Sequence, residues 1–372
     1  MKPVYFLACF AVGSVLTAHA GSKNKSGGDF LNEARRLHEK IITIDTHVDF
    51  ETTLATPAHN PGVRLADQKV DLIKMDEGGL DAVFFAVWTP QTELTEENYR
   101  AAYELAMDKF SAVHRMCAAY NVDMVTLATS PDDLARIKKS GKRAALLGVE
   151  NGFPIGEDIA NLRYFYDLGA RYVTITHMGY NQLGDSSDKR KEIPAGIHGG
   201  LSGFGKNVIR EMNSLGMMVD VSHCSRETFY DILDISQAPV IASHSGCRAL
   251  CDVPRNLDDS QMKALADNGG TIQIVGYGGY LKVPAKEAKL SDFVDHIDYA
   301  VKLIGVDHVG IGSDFDGGGG IPGFNDPSEC LNVTAELLRR GYSKKDIAKI
   351  WGGNLLRVWR ETIKTAENMK KN

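Results

Sequence analysis

Short apolar runs alternate with longer helix-like segments along most of the chain. Eight of the short runs are rich in apolar and β-branched residues and lack a polar residue at every second position, which is typical of strands buried on both faces. Several of the helix-like segments end at a glycine that would stop a helix. The predicted strands are residues 41–44, 82–87, 144–149, 172–176, 217–221, 240–242, 271–275 and 308–311, and the clearest predicted helices are residues 98–120, 159–168, 206–215, 226–235, 260–268, 291–304 and 344–359.

This alternation predicts an α/β fold. Strands that alternate with helices form a parallel sheet with right-handed crossovers, and eight such units are the number that closes a (β/α)8 barrel. A doubly wound open sheet is the alternative. Because no repeat, low-complexity tract or linker interrupts the pattern, we expect residues 21–372 to form a single (β/α)8 barrel domain.

The first twenty residues are predicted to be a signal peptide. Lys2 precedes an uncharged run that continues to residue 18, and Ala18-His19-Ala20 forms a small-x-small cleavage pattern. A short membrane anchor is the alternative, but the apolar run falls short of the ~20 residues that span a bilayer. We therefore expect cleavage near Ala20 and export to the periplasm or the medium. The lysine-rich tail at 361–372 offers no second anchor, so no stable membrane attachment is expected.

Composition narrows the class of partner. The chain has 372 residues, of which 43% are hydrophobic and 24% charged, and these are the proportions of a globular protein. Its net charge of -6, with no basic run, argues against a nucleic acid as partner. A small-molecule substrate is expected instead, and the oligomeric state stays open, with a homodimer among the alternatives.

The cysteines give little support for a disulfide framework. An odd number follows the predicted leader, so at least one is unpaired within the chain, and their spacing matches no zinc ribbon or finger. A bridge between the two that lie closest in sequence is left open, and most are expected to be buried as small apolar side chains. The five cysteines are Cys117, Cys224, Cys247, Cys251 and Cys330.

Ionisable side chains follow six of the eight predicted strands at the point where the strand ends. In a barrel these positions converge on one face, where functional groups collect. His, Asp and Glu are ligands for divalent metals such as zinc, although a single His after a strand is more often a surface or capping residue. The candidates are His47, Asp49, Glu150, His177, His223, His244 and Asp314.

The number of candidates indicates more than one ion. A single tetrahedral ion needs four ligands, whereas two ions ~3.5–4 Å apart that share one carboxylate would use the whole set. His47 and Asp49 are two residues apart, so on an extended segment they face the same side. The pattern therefore predicts a metal centre with two ions.

The motifs around these residues resemble the membrane (renal-type) dipeptidase family of zinc metallopeptidases, within the amidohydrolase superfamily of barrels. They follow one another in the family's order through almost the whole chain after the leader. The matching stretches are DTHVD at 45–49, GVENG at 148–152, TITH at 174–177, LSGFG at 201–205, VDVSH at 219–223, ASHS at 242–245, RNLDD at 255–259 and GIGSDFDG at 310–317.

This resemblance implies a ligand set for two zinc ions. His47 and Asp49 correspond to ligands of one ion, His223 and His244 to ligands of the other, and Glu150 to the carboxylate that bridges both. Other branches of the superfamily bridge their metals with a modified lysine at the end of a middle strand. Glu150 in that place favours the dipeptidase branch.

The resemblance also implies roles in catalysis and substrate binding. Asp314 resembles the aspartate that takes the proton of the attacking water, and His177 the histidine that contacts the oxygen of the scissile carbonyl. Arg255 resembles the arginine that holds the dipeptide carboxylate, and Tyr280 is placed as a substrate contact only by its distance from Arg255. The implied reaction is hydrolysis of dipeptides with a free C-terminal carboxylate, L-D dipeptides included. Some family members carry His where this chain has Phe153, which implies a difference in substrate preference.

Other functions are left open by the residues themselves. An N-acyl amino acid deacylase or a lactonase would use the same two metals and the same barrel. A secreted, non-catalytic protein that binds metal or peptide is disfavoured because it would be expected to lack Asp314 or a ligand. Nucleotide binding is disfavoured too, because the glycine-rich stretches at 200–205 and 317–320 lack the spacing of a phosphate loop.

Overall fold

Strands form at all of the predicted apolar runs, and one further short strand lies between two of them. The computed structural model describes residues 26–371, so the predicted leader lies outside the described residues. Every pairing between the strands of this range is parallel. The strands are β1 (Ile44–Val48), β2 (Ala82–Trp88), β3 (Val125–Leu127), β4 (Arg143–Glu150), β5 (Ala170–Thr174), β6 (Met218–Asp220), β7 (Ile241–Ser245), β8 (Thr271–Val275) and β9 (Val309–Gly312).

Eight of the strands follow one another around a barrel in the order β1-β2-β4-β5-β6-β7-β8-β9. The first and last are joined beyond their ends, where Asp49 N donates to Phe315 O at 2.8 Å and Asp314 N to His47 O at 3.0 Å. The short β3 pairs with the beginning of β4 and stays outside this order. The predicted (β/α)8 barrel is therefore confirmed, and the open-sheet alternative is wrong.

Helices connect successive strands and surround the barrel. A π-helical turn at Met116–Tyr120 extends α3, and another at Lys349–Gly353 joins α12 to α13. The helices are α1 (Gly27–His38), α2 (Leu72–Gly78), α3 (Glu96–Arg115), α4 (Pro131–Lys139), α5 (Ile159–Asp167), α6 (Gly203–Leu215), α7 (Arg226–Ile235), α8 (Asp259–Asp267), α9 (Gly278–Leu281), α10 (Leu290–Ile304), α11 (Cys330–Arg339), α12 (Lys344–Ala348) and α13 (Asn354–Met369), with 3-10 turns at Phe153–Ile155, Ala285–Glu287, Val306–His308 and Pro327–Glu329.

Alternate residues of the strands divide the core into an inner and an outer layer. Phe84 and Leu146 belong to the smaller, inner cluster, which Trp359 of α13 joins. Their neighbours Phe85 and Leu147 belong to the larger cluster that packs against the surrounding helices. Because the inner positions are filled by side chains, the barrel is a packed core whose open end is the carboxyl end of the strands.

The LSGFG motif begins α6. Ser202 is the N-cap, and its hydroxyl accepts a hydrogen bond from Gly205 N at 2.9 Å. A Cβ on Gly205 would overlap the carbonyl of Leu183, so this position requires glycine for close packing of the helix against the loop. The motif is thus explained by helix initiation and packing.

A buried histidine ties α1 to α11. His38 Nδ1 lies 3.1 Å from the carbonyl oxygens of Gly78 and Gly79, and Nε2 lies 2.6 Å from Thr334 Oγ1. Because carbonyl oxygens only accept, Nδ1 carries the proton and Nε2 accepts from the threonine hydroxyl. Burial lowers the pKa of His38 to about 4, since a second proton would be both poorly solvated and opposed to this hydrogen bond.

The first strand differs from its prediction. The apolar run at 41–44 was expected to be the strand, whereas β1 begins at Ile44 and continues through Asp45 and His47. Neighbouring strands satisfy these polar residues inside the barrel: Thr46 Oγ1 donates to Ser243 O at 2.6 Å. The strand therefore extends into the polar residues that were expected to follow it.

All five cysteines of the described range are free. Cys247 and Cys251 form no bridge, and four of the five are buried while Cys117 is half-buried. The expectation that most are buried apolar side chains is confirmed. Among residues 26–371, no helix combines the length and the apolar character that crossing a membrane requires.

Candidate metal centre

The structure brings the predicted strand-end residues together at the open end of the barrel. Six of the seven are buried, and Asp49 is half-buried. Three lie inside strands and four on the loops that follow them. His47 is in β1, Glu150 ends β4 and His244 is in β7, while Asp49, His177, His223 and Asp314 follow β1, β5, β6 and β9.

Glu150 lies at the centre of this group, and its two carboxylate oxygens face different histidines. Oε2 is 3.3 Å from Nε2 of His47. Oε1 is 3.1 Å from Nε2 of His223 and 3.3 Å from Nε2 of His244. The fourth histidine, His177, is farther away, with Nε2 3.8 Å from Oε1. Each oxygen of this carboxylate therefore has its own set of neighbouring ring nitrogens.

The possible ligand atoms form three overlapping groups, in each of which the atoms lie within 4.8 Å of one another. Glu150 and His47 each belong to two of the groups, so the three groups join into one cluster. The groups are His47 with Glu150 and His244, Glu150 with His177 and His223, and His47 with Asp49 and Asp314. By distance alone, His177 and Asp314 could therefore be metal ligands as readily as the other residues of the cluster.

Tyr172 determines which nitrogen of His47 carries a proton. Its hydroxyl donates to the carbonyl oxygen of Thr46 at 3.1 Å and lies 3.0 Å from Nδ1 of His47. Since the single hydroxyl proton goes to the carbonyl, the oxygen accepts from Nδ1–H, and Nε2 is the nitrogen of His47 that faces Glu150 and is available to a metal. The Tyr172 ring reaches His47 because its strand neighbour is Gly148, where a Cβ would overlap the ring.

A similar chain orients His244. Ser243 Oγ donates to Asp220 Oδ2 at 2.6 Å and lies 2.8 Å from Nδ1 of His244. The hydroxyl proton is directed to the carboxylate, so the oxygen accepts from Nδ1–H and Nε2 again keeps a lone pair. A metal-ligating histidine typically donates its second ring N–H to a partner of this kind.

The spacing of these nitrogens and oxygens fits a divalent metal. Ligand atoms about 2.0–2.1 Å from a zinc ion at tetrahedral angles lie roughly 3.3 Å from one another, and the contacts of Glu150 with His47 and His244 are both 3.3 Å. Nε2 of His47 is buried and has no hydrogen-bond partner among the described residues. Nε2 of His223 lies 3.0 Å from Nε2 of His244. The two nitrogens are therefore close enough for one cation to contact both.

Burial and charge oppose one another in this cluster. Burial raises the pKa of Glu150, but the neighbouring histidines outweigh it and hold the pKa well below its usual range. Burial, followed by the charge of Arg255, keeps the pKa of His223 well below its usual value, so the ring is neutral as a ligand must be. Burial and the Asp49 carboxylate raise the pKa of Asp314 well above its usual value.

Two residues of the site adopt backbone conformations that are unusual for residues with a side chain. His223 has φ of 67° and Asp314 has φ of 62°, both in the left-handed region. Hydrogen bonds hold both loops: Ser187 N donates to His223 O at 2.7 Å, and Gly319 N donates to Asp314 O at 2.7 Å. Such backbone strain is concentrated at functional sites, where the surrounding structure maintains it.

Arg255 is buried beside the cluster, and its guanidinium is held from behind. It donates to the carbonyl oxygen of His244 at 2.8 Å and to Ser245 Oγ at 3.0 Å, while its Nε is buried without a partner among the described residues. The guanidinium lies 5.5 Å from the Tyr280 ring centroid. Arg255 lines a cavity of about 310 Å³ that shares His223 with the main cavity over the cluster.

The main cavity, of about 450 Å³, also has walls that the motifs did not predict. Tyr280 lines it, whereas Phe153 is fully buried against Tyr99 and does not. Trp88 follows the predicted strand at 82–87, and Lys109 lies in the predicted helix at 98–120; neither was given a role. The unpredicted lining residues are Glu51, Trp88, Lys109, Met178, Arg190, Tyr277, Asp316, Gly317 and Gly318.

The sequence and the fold of this chain are both similar to those of known proteins. The model of the membrane dipeptidase family, peptidase family M19, matches residues 31–372. Dipeptidase tcpJ of Claviceps purpurea is 37% identical over 306 residues, which are 81% of this chain and 71% of that protein. Human dipeptidase 3 is 33% identical over 348 residues, which are 92% of this chain and 69% of that protein. The crystal structure of the probable dipeptidase PvdM from Pseudomonas aeruginosa superposes with a TM-score of 0.86 at 31% identity, over 91% of this chain and 99% of that one.

Proposed function

Because the chain belongs to the membrane dipeptidase family, peptidase family M19, and is a peptide hydrolase with a metal cofactor, we propose that it is a dinuclear zinc dipeptidase. The family predicted from the motifs is thereby confirmed. One observation carries the finer proposal: the two oxygens of Glu150 face different histidines, 3.3 Å from His47 on one side and 3.1 Å from His223 on the other. That is the arrangement a bridging carboxylate requires.

The ligands would divide between two ions on either side of Glu150. His47 and Asp49 would hold one ion, since His47 Nε2 and Asp49 Oδ2 are 3.5 Å apart. His223 and His244 would hold the other, since their Nε2 atoms are 3.0 Å apart and both face Glu150 Oε1. When bound, zinc supplies Lewis acidity, which makes water nucleophilic at neutral pH and draws electron density from the scissile carbonyl.

The remaining residues would position the substrate and move the proton. Asp314 borders the cluster beside Asp49, where it would take a proton from the attacking water and return it to the leaving amine. His177 stands over Glu150 and His223 and would donate a hydrogen bond to the carbonyl oxygen as negative charge develops. Arg255, with its free Nε, would hold the C-terminal carboxylate, and Tyr280 would contact the same residue of the substrate.

Amidated substrates test the proposal most directly. A charge-assisted hydrogen bond contributes roughly 1.5–3 kcal/mol, about 10- to 150-fold in affinity. Metal-loaded enzyme should cleave L-L and L-D dipeptides, and kcat/KM should fall by that factor when the dipeptide is amidated or when Arg255 is replaced by Ala. The two changes combined should cost little more than either alone. Equal cleavage of dipeptides, dipeptide amides and tripeptides would contradict the dipeptidase proposal.

A second candidate uses the same centre. An N-acyl amino acid also presents a free carboxylate to Arg255, so a deacylase remains compatible with that contact. The two are separated by comparing kcat/KM for a dipeptide with kcat/KM for the N-acetyl derivative of that dipeptide's C-terminal amino acid. A dipeptidase should prefer the free amine, whereas a deacylase should prefer the acyl compound.

Export is a separate part of the proposal. We propose that the leader is removed near Ala20 and that the exported protein consists of one barrel domain, residues 21–372. Mass spectrometry of the protein recovered from the periplasmic or extracellular fraction should find a new amino terminus at or near Gly21. Recovery of an intact leader on protein from the cytoplasm would contradict this expectation.

A further inference from the structure

One wall of the main cavity carries two cationic side chains that the proposed chemistry does not use. Building on the proposed dipeptidase function, we propose that Lys109 and Arg190, which both lie near the Trp88 ring, bind a carboxylate on the side chain of the substrate's N-terminal residue. The enzyme would then prefer dipeptides that begin with Glu or Asp. Trp88, Lys109 and Arg190 all line the cavity that contains Glu150 and Asp314.

Lys109 is an unusual residue for a cavity wall because its side chain is almost fully buried. Only 3% of the residue is exposed, and within the described chain its one hydrogen bond goes to the carbonyl oxygen of Phe50, at 2.7 Å. An ammonium group has three N–H donors, so this contact leaves two of them unused by the described residues. The carboxylates of Asp49, Glu51 and Glu150 offset part of the fall in the pKa of Lys109 that burial causes, but among the described residues none forms an ion pair with it. Burying a charge without a partner in contact is costly unless a ligand supplies that partner.

Arg190 lines the same cavity from the loop after β5. Its guanidinium lies 5.7 Å from the centroid of the Trp88 ring, and Lys109 Nζ lies 5.7 Å from the same ring. Among the described residues, the Arg190 side chain forms no hydrogen bond or ion pair. Two cations next to one aromatic ring, both with unused donors, form a binding site suited to a carboxylate.

The position of this wall matches the N-terminal residue of a dipeptide. Trp88 ends β2 and Phe50 follows β1, whereas Arg255 is bonded to His244 and Ser245 of β7, almost opposite in the ring of eight strands. A dipeptide whose carboxylate is held by Arg255 and whose scissile carbonyl lies over the metal cluster would direct its other end towards Lys109. The α-ammonium of that residue would be bound by carboxylates that line the same cavity. The two cations would therefore bind an anionic side chain.

A pair of isosteric substrates tests the inference. Glu-Ala and Gln-Ala differ in one charge and have almost the same shape, so the ratio of their kcat/KM values isolates recognition of the carboxylate. We expect wild-type enzyme to favour Glu-Ala by about 10-fold or more, the scale of one charge-assisted hydrogen bond. Lys109→Met and Arg190→Gln should each move the ratio towards one, and Lys109→Arg should retain most of it. Lys189→Gln, an exposed neighbour on the same loop, should leave the ratio unchanged.

The ratio separates the proposed role from a structural one. If Lys109 served only to hold the Phe50 carbonyl, Lys109→Met would lower both kcat/KM values together and keep their ratio, and that result would overturn the inference for Lys109. Arg190→Gln, on a half-exposed loop residue, provides the second test if Lys109→Met does not fold. A wild-type ratio near one with both substrates cleaved would overturn the inference alone. Cleavage of other dipeptides but not of Glu-Ala would also overturn the inference alone. Failure to cleave any dipeptide would overturn the proposed dipeptidase function, and the inference with it.

Discussion

Replacing Tyr172 by Phe should weaken one metal site selectively. The hydroxyl is fully buried, lies 3.0 Å from Nδ1 of His47 and donates to the carbonyl oxygen of Thr46 at 3.1 Å. Phe retains the ring that packs over Gly148, so the change removes the acceptor of His47 and little else. Nδ1–H is then left buried without a partner, and the His47 ring loses the contact that keeps Nε2 directed at Glu150.

The magnitude follows from the two hydrogen bonds. Loss of a partner that orients a metal ligand costs about 10- to 100-fold in metal affinity, which corresponds to roughly 1.4–2.8 kcal/mol. Leaving a buried donor unsatisfied lowers the free energy of unfolding by about 1–3 kcal/mol. His244 is oriented by Ser243 and Asp220 instead, so the second site should keep its wild-type affinity.

Chelator titration of the metal-loaded enzyme measures this difference. In Tyr172→Phe, about half of the metal should be released at a chelator concentration 10- to 100-fold below that needed for wild type, and the rest at the wild-type concentration. Tyr103→Phe is the matched control, because that ring packs on Phe165 away from the cluster. Release of all the metal from Tyr172→Phe at the wild-type chelator concentration would refute the role of the hydroxyl in orienting His47.

Three further changes test other parts of the site and the fold. Asp314→Asn keeps the shape of the side chain but takes up no proton, so kcat should fall by at least ~10²-fold. Elemental analysis should find a near-normal metal content in this variant, and loss of the metal would instead make Asp314 a ligand. Glu150→Ala should lose both ions, whereas His223→Ala should retain close to one, and equal stoichiometries in the two variants would contradict a bridging Glu150. Because burial lowers the pKa of His38 from 6.5 to about 4, the unfolded chain takes up that proton first, and stability should fall as the pH drops through this window. The loss is about 2 kcal/mol between pH 7 and pH 5, and it should be absent from His38→Gln when the two proteins are compared by urea unfolding at both pH values; an equal loss in both would show that His38 is not its source.

The site residues were predictable because a parallel barrel converts order along the chain into proximity. Once the apolar runs are assigned to strands, the ionisable residues that follow six of these runs must lie near one another at one end of the barrel. Glu150 and His244 are separated by 94 positions, yet their side-chain atoms lie 3.3 Å apart. No property of either residue by itself indicated this contact.

The ends of the strands were less predictable for a physical reason. Hydrophobic patterning ends a strand at the first polar residue, but at the open end of this barrel the polar residues are themselves in the strands. β7 continues through Ser243, His244 and Ser245, although the apolar run ends at residue 242. Buried hydrogen bonds such as that of Ser243 with Asp220 take the place of apolar contacts there. The strand outside the barrel order, β3, was missed because it has only three residues, of which only Val125 is buried, whereas β6 is equally short but fully buried.

The residues that orient the ligands were missed because their role depends on strand register. Tyr172 stands in an apolar run and is typical of a core side chain, and it is indeed fully buried. What makes it a partner of His47 is that β5 pairs with β4 so that Tyr172 lies beside Gly148. Without a side chain at Gly148 the ring has room to turn inward and place its hydroxyl against Nδ1 of His47. Gly148, the first glycine of the GVENG motif, therefore contributes to the metal centre through the space it leaves. Only the pairing of the two strands reveals which residue uses that space.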